Sequence, residues 1–394
     1  MVNNFLAAAD VFRTIGSILL AVLILLVMIT VHEFGHYLAG KIFKFKINEF
    51  SIGFGPALFK KTNKKTGELF SVRLIPLGGY CAFEGEDGVE EEKDEEGNVI
   101  KKEPHPQSFT MKKPWQRIIV LVSGALMNYL LALLLIIVHF FAYGQTMVAV
   151  YEAEAPTEGI AQEYCLQDKD ILLEANGRSL YLTTDVARAL KGKSEGDLVE
   201  FRISRVVGQL EGENVREEMT VKVMLRFDPS VENSAQLDGA WKALGVKYSE
   251  GENYTGYMLA SASYRFGFFE TLGRSFLYSF KIAGAIFGIL GELLTGALGL
   301  SALGGPVSTI KMTSQIAAQG LRSFLDIASY IGVNLAVFNL LPIPALDGSK
   351  VVFTAIEGIF KKPVNRKVEA VIHAVGFVLL FGFAILVDLL QLFG

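Results

Sequence analysis

Cysteine and histidine are both scarce in this chain, two and five in 394 residues. Neither Cys81 nor Cys165 has a second cysteine at CxxC spacing, so a cysteine-built metal site is excluded and both read as packing residues. A dominant charge is missing as well. With 37 Lys and Arg against 41 Asp and Glu the formal net charge is −4, and nothing in that balance supports a nucleic-acid partner. What the chain has in excess is apolar residues. They make up 51% of it and the mean hydropathy is +0.38, which places it among membrane proteins.

The apolar residues gather into stretches that approach the ~20 residues needed to cross a bilayer: Ile15–Leu38, Ile118–Tyr143, Phe266–Leu300, Phe324–Leu341 and Val368–Phe393. The Phe266–Leu300 stretch is rich in glycine and has Arg265, Arg274, Lys281 and Glu292 in or beside it. It suits an amphipathic or re-entrant segment better than a lipid-exposed helix, so four transmembrane helices are expected. Lys and Arg cluster between the first two spans, from Lys41 to Arg117, and between the last two, from Lys350 to Lys367. Positive loops stay in the cytoplasm, which puts both termini and the 145–226 segment outside a cell (inner) membrane. Cys81 and Cys165 then lie on opposite sides and cannot pair. Arg13 before the first run resembles a signal sequence, but no small-residue cleavage site precedes His32, so the run is expected to remain in the mature protein.

His32-Glu33-Phe34-Gly35-His36 sits at the inner end of that first run. On a helix, residues four apart share a face, so His32 and His36 can turn ring nitrogens toward one Zn²⁺ with Glu33 beside them as general base. Ionisable groups at membrane depth are costly, about 2.5–3.5 kcal/mol each on insertion scales, and three at one depth imply a compensating site. A two-histidine, one-carboxylate zinc site keeps a position open for water, whose pKa the metal lowers to about 7. The third ligand has to come from elsewhere. In Asn334-Leu-Ala-Val-Phe-Asn339-Leu-Leu-Pro342-Ile-Pro344-Ala-Leu-Asp347-Gly348, two prolines break a membrane helix and Asp347 follows directly. Asp347 reads either as that ligand or as a plain cap on the next helix.

The HExxH segment together with the Asn-x-x-Pro-x-Pro-x-x-Asp-Gly segment resembles the site-2 protease family of intramembrane zinc metalloproteases, and most of all its bacterial sigma-E regulator branch, which carries an extracytoplasmic PDZ domain. The likeness extends through Phe50-Ser-Ile-Gly-Phe-Gly-Pro56, Arg73-Leu-Ile-Pro-Leu-Gly-Gly-Tyr80, Trp115-Gln-Arg117 and Gly304-Gly-Pro306. It implies zinc on His32, His36 and Asp347, Glu33 as base, and a substrate that is itself a membrane helix. It further implies that Asn339 helps hold the substrate backbone and that Asn128, in Gly124-Ala-Leu-Met-Asn128, lies near the site as a second substrate-binding residue. The branch often has Pro where this chain has Ala125.

Between these spans, Ile47–Phe59 and Leu69–Phe83 read as a cytoplasmic β-hairpin around Thr62–Gly67. The family has a membrane-associated β element here that is held to present an edge strand to substrate; a purely structural hairpin is the other reading. The acidic run Glu84–Gly97 reads as solvated and mobile, or as a regulatory lid. Strand patterns at Met147–Tyr151, Ile171–Ala175, Val199–Val206 and Met219–Leu225, with a helical Thr184–Leu190, make 145–226 an α+β domain. Leu166–Gly177 resembles a PDZ core, with Cys165 and Lys169 at two positions that are usually glycine. The expected division is 1–44 first transmembrane helix, 45–114 β insertion and acidic loop, 115–144 second helix, 145–226 PDZ-like domain, 227–322 linker and membrane-associated segment, and 323–394 third and fourth helices. The function expected is a zinc-dependent intramembrane endopeptidase acting on a single-span membrane protein, such as an anti-sigma factor or a remnant signal peptide, with membrane lipid and an upstream site-1-type protease as partners. The alternative is a zinc-binding membrane scaffold without hydrolysis, which has no need of a base between its ligands.

Overall fold

The computed structural model describes residues 2–86, 91–93, 99–101, 105–156, 159–229, 237–251, 254–299, 303–362 and 364–393. In chain order, helix α1 (Val2–Ile42) is followed by strands β1 (Ile47–Thr62), β2 (Leu69–Phe83), β3 (Glu91–Lys93) and β4 (Val99–Lys101), then helix α2 (Pro114–Tyr143). Next come β5 (Gln145–Val150), β6 (Ile171–Ala175), β7 (Arg178–Ser179), α3 (Thr183–Ala189), β8 (Leu198–Leu210), β9 (Glu213–Met224), α4 (Leu237–Ala243), β10 (Tyr248–Glu250), β11 (Thr255–Tyr257) and β12 (Leu259–Tyr264). The chain closes with α5 (Phe268–Thr295), α6 (Pro306–Ala317), α7 (Leu321–Leu340), α8 (Asp347–Phe360) and α9 (Arg366–Phe393). It divides into two compact units, one made of Met1–His139 with Ile282–Gly394 and the other of Phe140–Lys281.

In the first unit, Ile24 and Met28 of α1 pack with Ala317 of α6 and with Ile327, Ala328 and Ile331 of α7. Helix α7 ends at Leu340 because Pro342 and Pro344 supply no backbone N–H, and α8 restarts at Asp347. β1 and β2 form an antiparallel hairpin that bends on itself, so that Ser51 lies opposite both Tyr80 and Ser71. The bend falls where Gly53 and Gly78 take positive φ angles of 86° and 141°. Phe45 and Phe83 join Phe109 in an aromatic cluster at the base of the hairpin, with ring centroids 5.5–5.7 Å apart. Within the acidic run, Glu91–Lys93 pairs as a strand with Val99–Lys101, a local order that the solvated reading does not include. Residues 87–90 and 94–98 of that run lie outside the described residues.

Among the described residues five helices are long and apolar enough to cross a membrane: Thr14–Ile42, Pro114–Tyr143, Phe268–Thr295, Leu321–Leu340 and Arg366–Gln391. The expected count of four therefore does not follow from length and composition, because α5 qualifies as well. Two of its charges are taken up by partners. Arg274 is 2% exposed, donates from Nε to Gln145 Oε1 (2.7 Å) and from Nη2 to the Leu180 carbonyl (2.6 Å), and lies over the Phe266 ring at 4.0 Å. Lys281 pairs with Asp185 at 2.7 Å.

All of those partners belong to the second unit, whose six-stranded sheet has the order β12-β5-β6-β8-β9 with β7 on β6. Its core contains Val150, Leu172, Leu173, Val186, Leu190, Val199, Phe201, Ile203 and Val223. The same core takes in Trp241, Leu244 and Val246, and β12 pairs with β5 from Leu259↔Val150 to Tyr264↔Gln145. Residues 237–264, expected as part of a linker, thus complete the domain. Their elements are three to seven residues long, too short to show a periodic pattern, and acquire their structure by tertiary pairing. At the turn before β6, Lys169 takes φ +67° at a position where the sequence pattern has glycine. The turn is pinned from below by Asp170, fully buried, which receives two hydrogen bonds from Arg205 (2.9 and 2.6 Å) and one from the Gln167 N–H (2.8 Å).

Candidate metal centre

Histidine four residues from histidine on α1 brings both imidazoles onto the face that meets α2 and the start of α8. The two rings stand edge to face, with centroids 4.7 Å apart. His36 Nδ1–H donates to the Val120 carbonyl of α2 (2.8 Å), which turns its Nε2 to within 3.1 Å of His32 Nε2. Asp347, the first residue of α8, places Oδ2 2.9 Å from His32 Nε2 and 3.3 Å from His36 Nε2. One ligand atom from each of these three residues lies within 4.8 Å of the others. Both histidines are buried. His32 Nδ1 has no hydrogen-bond partner among the described residues, so the ring is tied down only through the side that faces the other two groups.

The helices can approach this closely because two glycines face each other. A Cβ on Gly124 would stand 2.4 Å from His36 Nε2 and 2.8 Å from His32 Cε1, and one on Gly35 would stand 2.3 Å from the Ser123 carbonyl oxygen. Any larger residue at either position would push α1 and α2 apart and pull the imidazoles out of register. Asn128, one turn beyond Gly124, is 1% exposed, and neither its Nδ2 nor its Oδ1 has a partner among the described residues. Asn339 lies half-buried in the last turn of α7.

Glu33 faces a cavity of about 430 Å³ lined by His36, Asp347, Val120, Tyr80, Cys81 and Lys350 among others. The Cys81 backbone N–H is its hydrogen-bond partner. Burial, with Glu33 close by, pushes the Cys81 thiol well above its ordinary value. Lys350 reaches the Glu86 carboxylate at 2.7 Å near the same cavity. Two participants carry no signal in the sequence. The Val120 carbonyl and the Cys81 N–H are backbone groups, and only the fold aims them at a histidine and a glutamate.

Two imidazoles and one carboxylate, with a second carboxylate beside them, is the donor set of a catalytic zinc site: three protein ligands of the right chemistry, a carbonyl behind one histidine that fixes its tautomer, and a cavity next to the open side. The residues present fit the ion.

A family model described as peptidase family M50 matches residues 20–383. A protein of Fusobacterium nucleatum is 30% identical over 380 residues, covering 94% of this chain and 97% of its own length. One of Clostridium perfringens is 32% identical over 376 residues, with the same two coverages, and one of Agrobacterium fabrum is 28% identical over 388 residues, covering 96% of each chain. All three carry the name "Putative zinc metalloprotease". With a match that spans both HExxH and the distant Asp347, and relatives aligned nearly end to end, the chain belongs to peptidase family M50, the site-2 protease family, and is a zinc metalloprotease.

Proposed function

We propose that the protein is an intramembrane endopeptidase that cuts the transmembrane segment of a single-span membrane protein, with zinc held by His32, His36 and Asp347 and Glu33 as its catalytic base. The observation that carries this reading is the convergence of the three ligand atoms at one end of a helix long and apolar enough to cross a membrane. A soluble peptidase has no reason to keep three ionisable groups there.

Zinc bound at this centre supplies Lewis-acid polarisation of the scissile carbonyl and activation of water. The protein's own groups do the rest. Glu33 Oε accepts the proton of the attacking water and returns it to the nitrogen of the departing amine, the acid–base cycle general to peptide hydrolysis. His36 is kept in a single orientation by Val120, so its Nε2 lone pair stays directed inward. A substrate helix buries its peptide groups in its own hydrogen bonds and must unwind before it can be cut. Amides at Asn128 and Asn339 suit the N–H and C=O groups that unwinding exposes, and the unsatisfied, buried carboxamide of Asn128 is the better prepared of the two.

In this reading four helices cross the membrane, the β1–β2 hairpin and the Lys-rich loops face the cytoplasm, and the α+β domain is a PDZ-like module outside. Support for the last comes from Lys169, whose left-handed backbone occupies a place where the PDZ pattern has glycine, and from the Asn176–Gly177 turn with φ of 49° and 72°. Support for α5 as a membrane-associated element rather than a fifth span comes from Arg274 and Lys281, both committed to partners in that domain. A zinc scaffold without hydrolysis would not need a carboxylate facing a cavity beside its ligands.

The deciding experiment is Glu33→Gln in purified protein, read with a membrane-helix substrate and by metal analysis. The amide cannot take the proton, so turnover should fall by about 10²–10⁴-fold with zinc content unchanged. Turnover near that of the unaltered protein sinks the hydrolytic reading.

A further inference from the structure

The turn that delivers Asp347 is poorly able to hold itself. Pro342 and Pro344 contribute no N–H donors, and Ala345 sits at φ +79°, a left-handed conformation that a residue with a Cβ resists. Only Ile343 N–H to the Leu341 carbonyl (2.7 Å) and Leu346 N–H to the Ile343 carbonyl (3.1 Å) bind the turn to itself. The Ala345 N–H goes elsewhere, to Nδ1 of His373 on α9, at 3.0 Å. One turn further along α9, Gly376 lies so close to Pro344 that an added Cβ would stand 2.2 Å from the proline Cβ. Residues 373 and 376 share one face of α9 and thus close on the Pro344–Ala345 peptide together. The His373 ring is steadied by Phe353 of α8, edge on at 5.8 Å.

We propose that His373 is a positioning residue for the metal centre: by accepting the Ala345 N–H it keeps that residue at positive φ and so fixes the direction in which Asp347, two residues on, presents its carboxylate. The proposal rests on the reading of Asp347 as a zinc ligand. Released from His373, Ala345 relaxes to negative φ, the peptide planes after it rotate, and the Asp347 oxygen leaves its place 2.9 Å from His32. Gly376 supplies the closeness and His373 the acceptor. What the site requires at position 373 is therefore a hydrogen-bond acceptor near the position of Nδ1. An asparagine can offer one through Oδ1, and a leucine of similar bulk cannot.

The test uses the full-length protein in detergent with Co²⁺ in place of zinc, reading the cobalt absorption bands, the retention of the ion against a chelator, and kcat and KM separately. His373→Leu should weaken retention by roughly 10–100-fold, the range for loss of an outer-shell support, alter the cobalt spectrum, and lower kcat with little change in KM. His373→Asn should recover most of the retention and the spectrum. If the leucine variant does not accumulate as folded protein, His373→Ala makes the same comparison. Unchanged retention and spectrum in the variant lacking the acceptor would overturn the proposal, as would an asparagine variant no better than leucine or alanine. Asp347→Asn separates the two levels. If it loses cobalt while His373→Leu does not, positioning alone fails; if it holds cobalt as tightly as the unaltered protein, the ligand reading fails and takes this proposal with it.

Discussion

Two histidine nitrogens 3.1 Å apart, with one carboxylate oxygen 2.9 Å from the first and 3.3 Å from the second, form a knot of lone pairs that a shared cation relieves. The cost of removing one member follows from that geometry. Asp347→Asn replaces an anionic oxygen with a neutral amide, a poorer ligand for a dication, while leaving the side-chain volume nearly unchanged. Metal analysis should show zinc content falling together with turnover, and added zinc should restore turnover only partly. Full occupancy with normal activity would mean that another carboxylate serves. Histidine and glutamate announced themselves through spacing alone, because 3.6 residues per turn converts i and i+4 into neighbours. Asp347 lies 315 residues from His32, and no periodicity reaches that far. The two prolines that end α7 and free the backbone ahead of it left Asp347 open between ligand and helix cap, and only the resemblance to the family implied the ligand.

At the scale of elements, the hairpin depends on a compact polar knot at its bend. Arg73 donates from Nη2 to Glu49 (2.7 Å), from Nε to Ser51 (3.0 Å) and from Nη1 to the Gly55 carbonyl (2.8 Å), and Ser71 donates to Glu49 at 2.6 Å. Burial works against the Glu49 charge, but the Ser71 hydroxyl and the Arg73 guanidinium prevail and hold the carboxyl below its ordinary value of 4.5. A carboxylate depressed by folding contributes stability that is whole above its unfolded pKa and lost as pH falls through its folded one. Glu49→Gln should therefore weaken amide-exchange protection of β1 and β2 at pH 7, once exchange rates are corrected for pH, and the difference from the unaltered protein should shrink below about pH 4. A difference that stays constant with pH would assign the effect to shape and not to charge. The strands themselves were readable from β-rich composition on either side of a turn-forming segment, and β2 runs over Leu69–Phe83 as expected. The fold-back that sets Ser51 against two partners was not, since it depends on glycines at the bend and on side chains that meet only after the bend forms.

At the scale of the whole molecule, His32, His36 and Asp347, proposed as ligands, Glu33, proposed as base, and the turn before Asp347 all belong to the unit built from Met1–His139 and Ile282–Gly394, and none of them lies in the α+β domain. Sequence alone would have cut that domain at Arg226. The structure makes such a cut destructive, because it strands Trp241, Leu244 and Val246 without the core they fill and strips β12 of its partner β5. The deletion that takes out the sheet whole runs from 145 to 264, with a short linker in its place and with Arg274 and Lys281 made neutral, because it also removes their partners Gln145, Leu180 and Asp185. If the domain acts as a size filter, the deleted protein should keep its zinc, cut a substrate with a short ectodomain at the normal rate, and gain the ability to cut one that still carries a bulky folded ectodomain. If the domain instead captures a peptide end, the short substrate should be cut more slowly as well, through a higher KM, since binding energy is lost. Both substrates are assayed side by side in the intact and deleted proteins. Continued refusal of the long substrate, with the short one cut normally, would remove the filter and leave the exclusion of large substrates to the membrane-embedded unit itself.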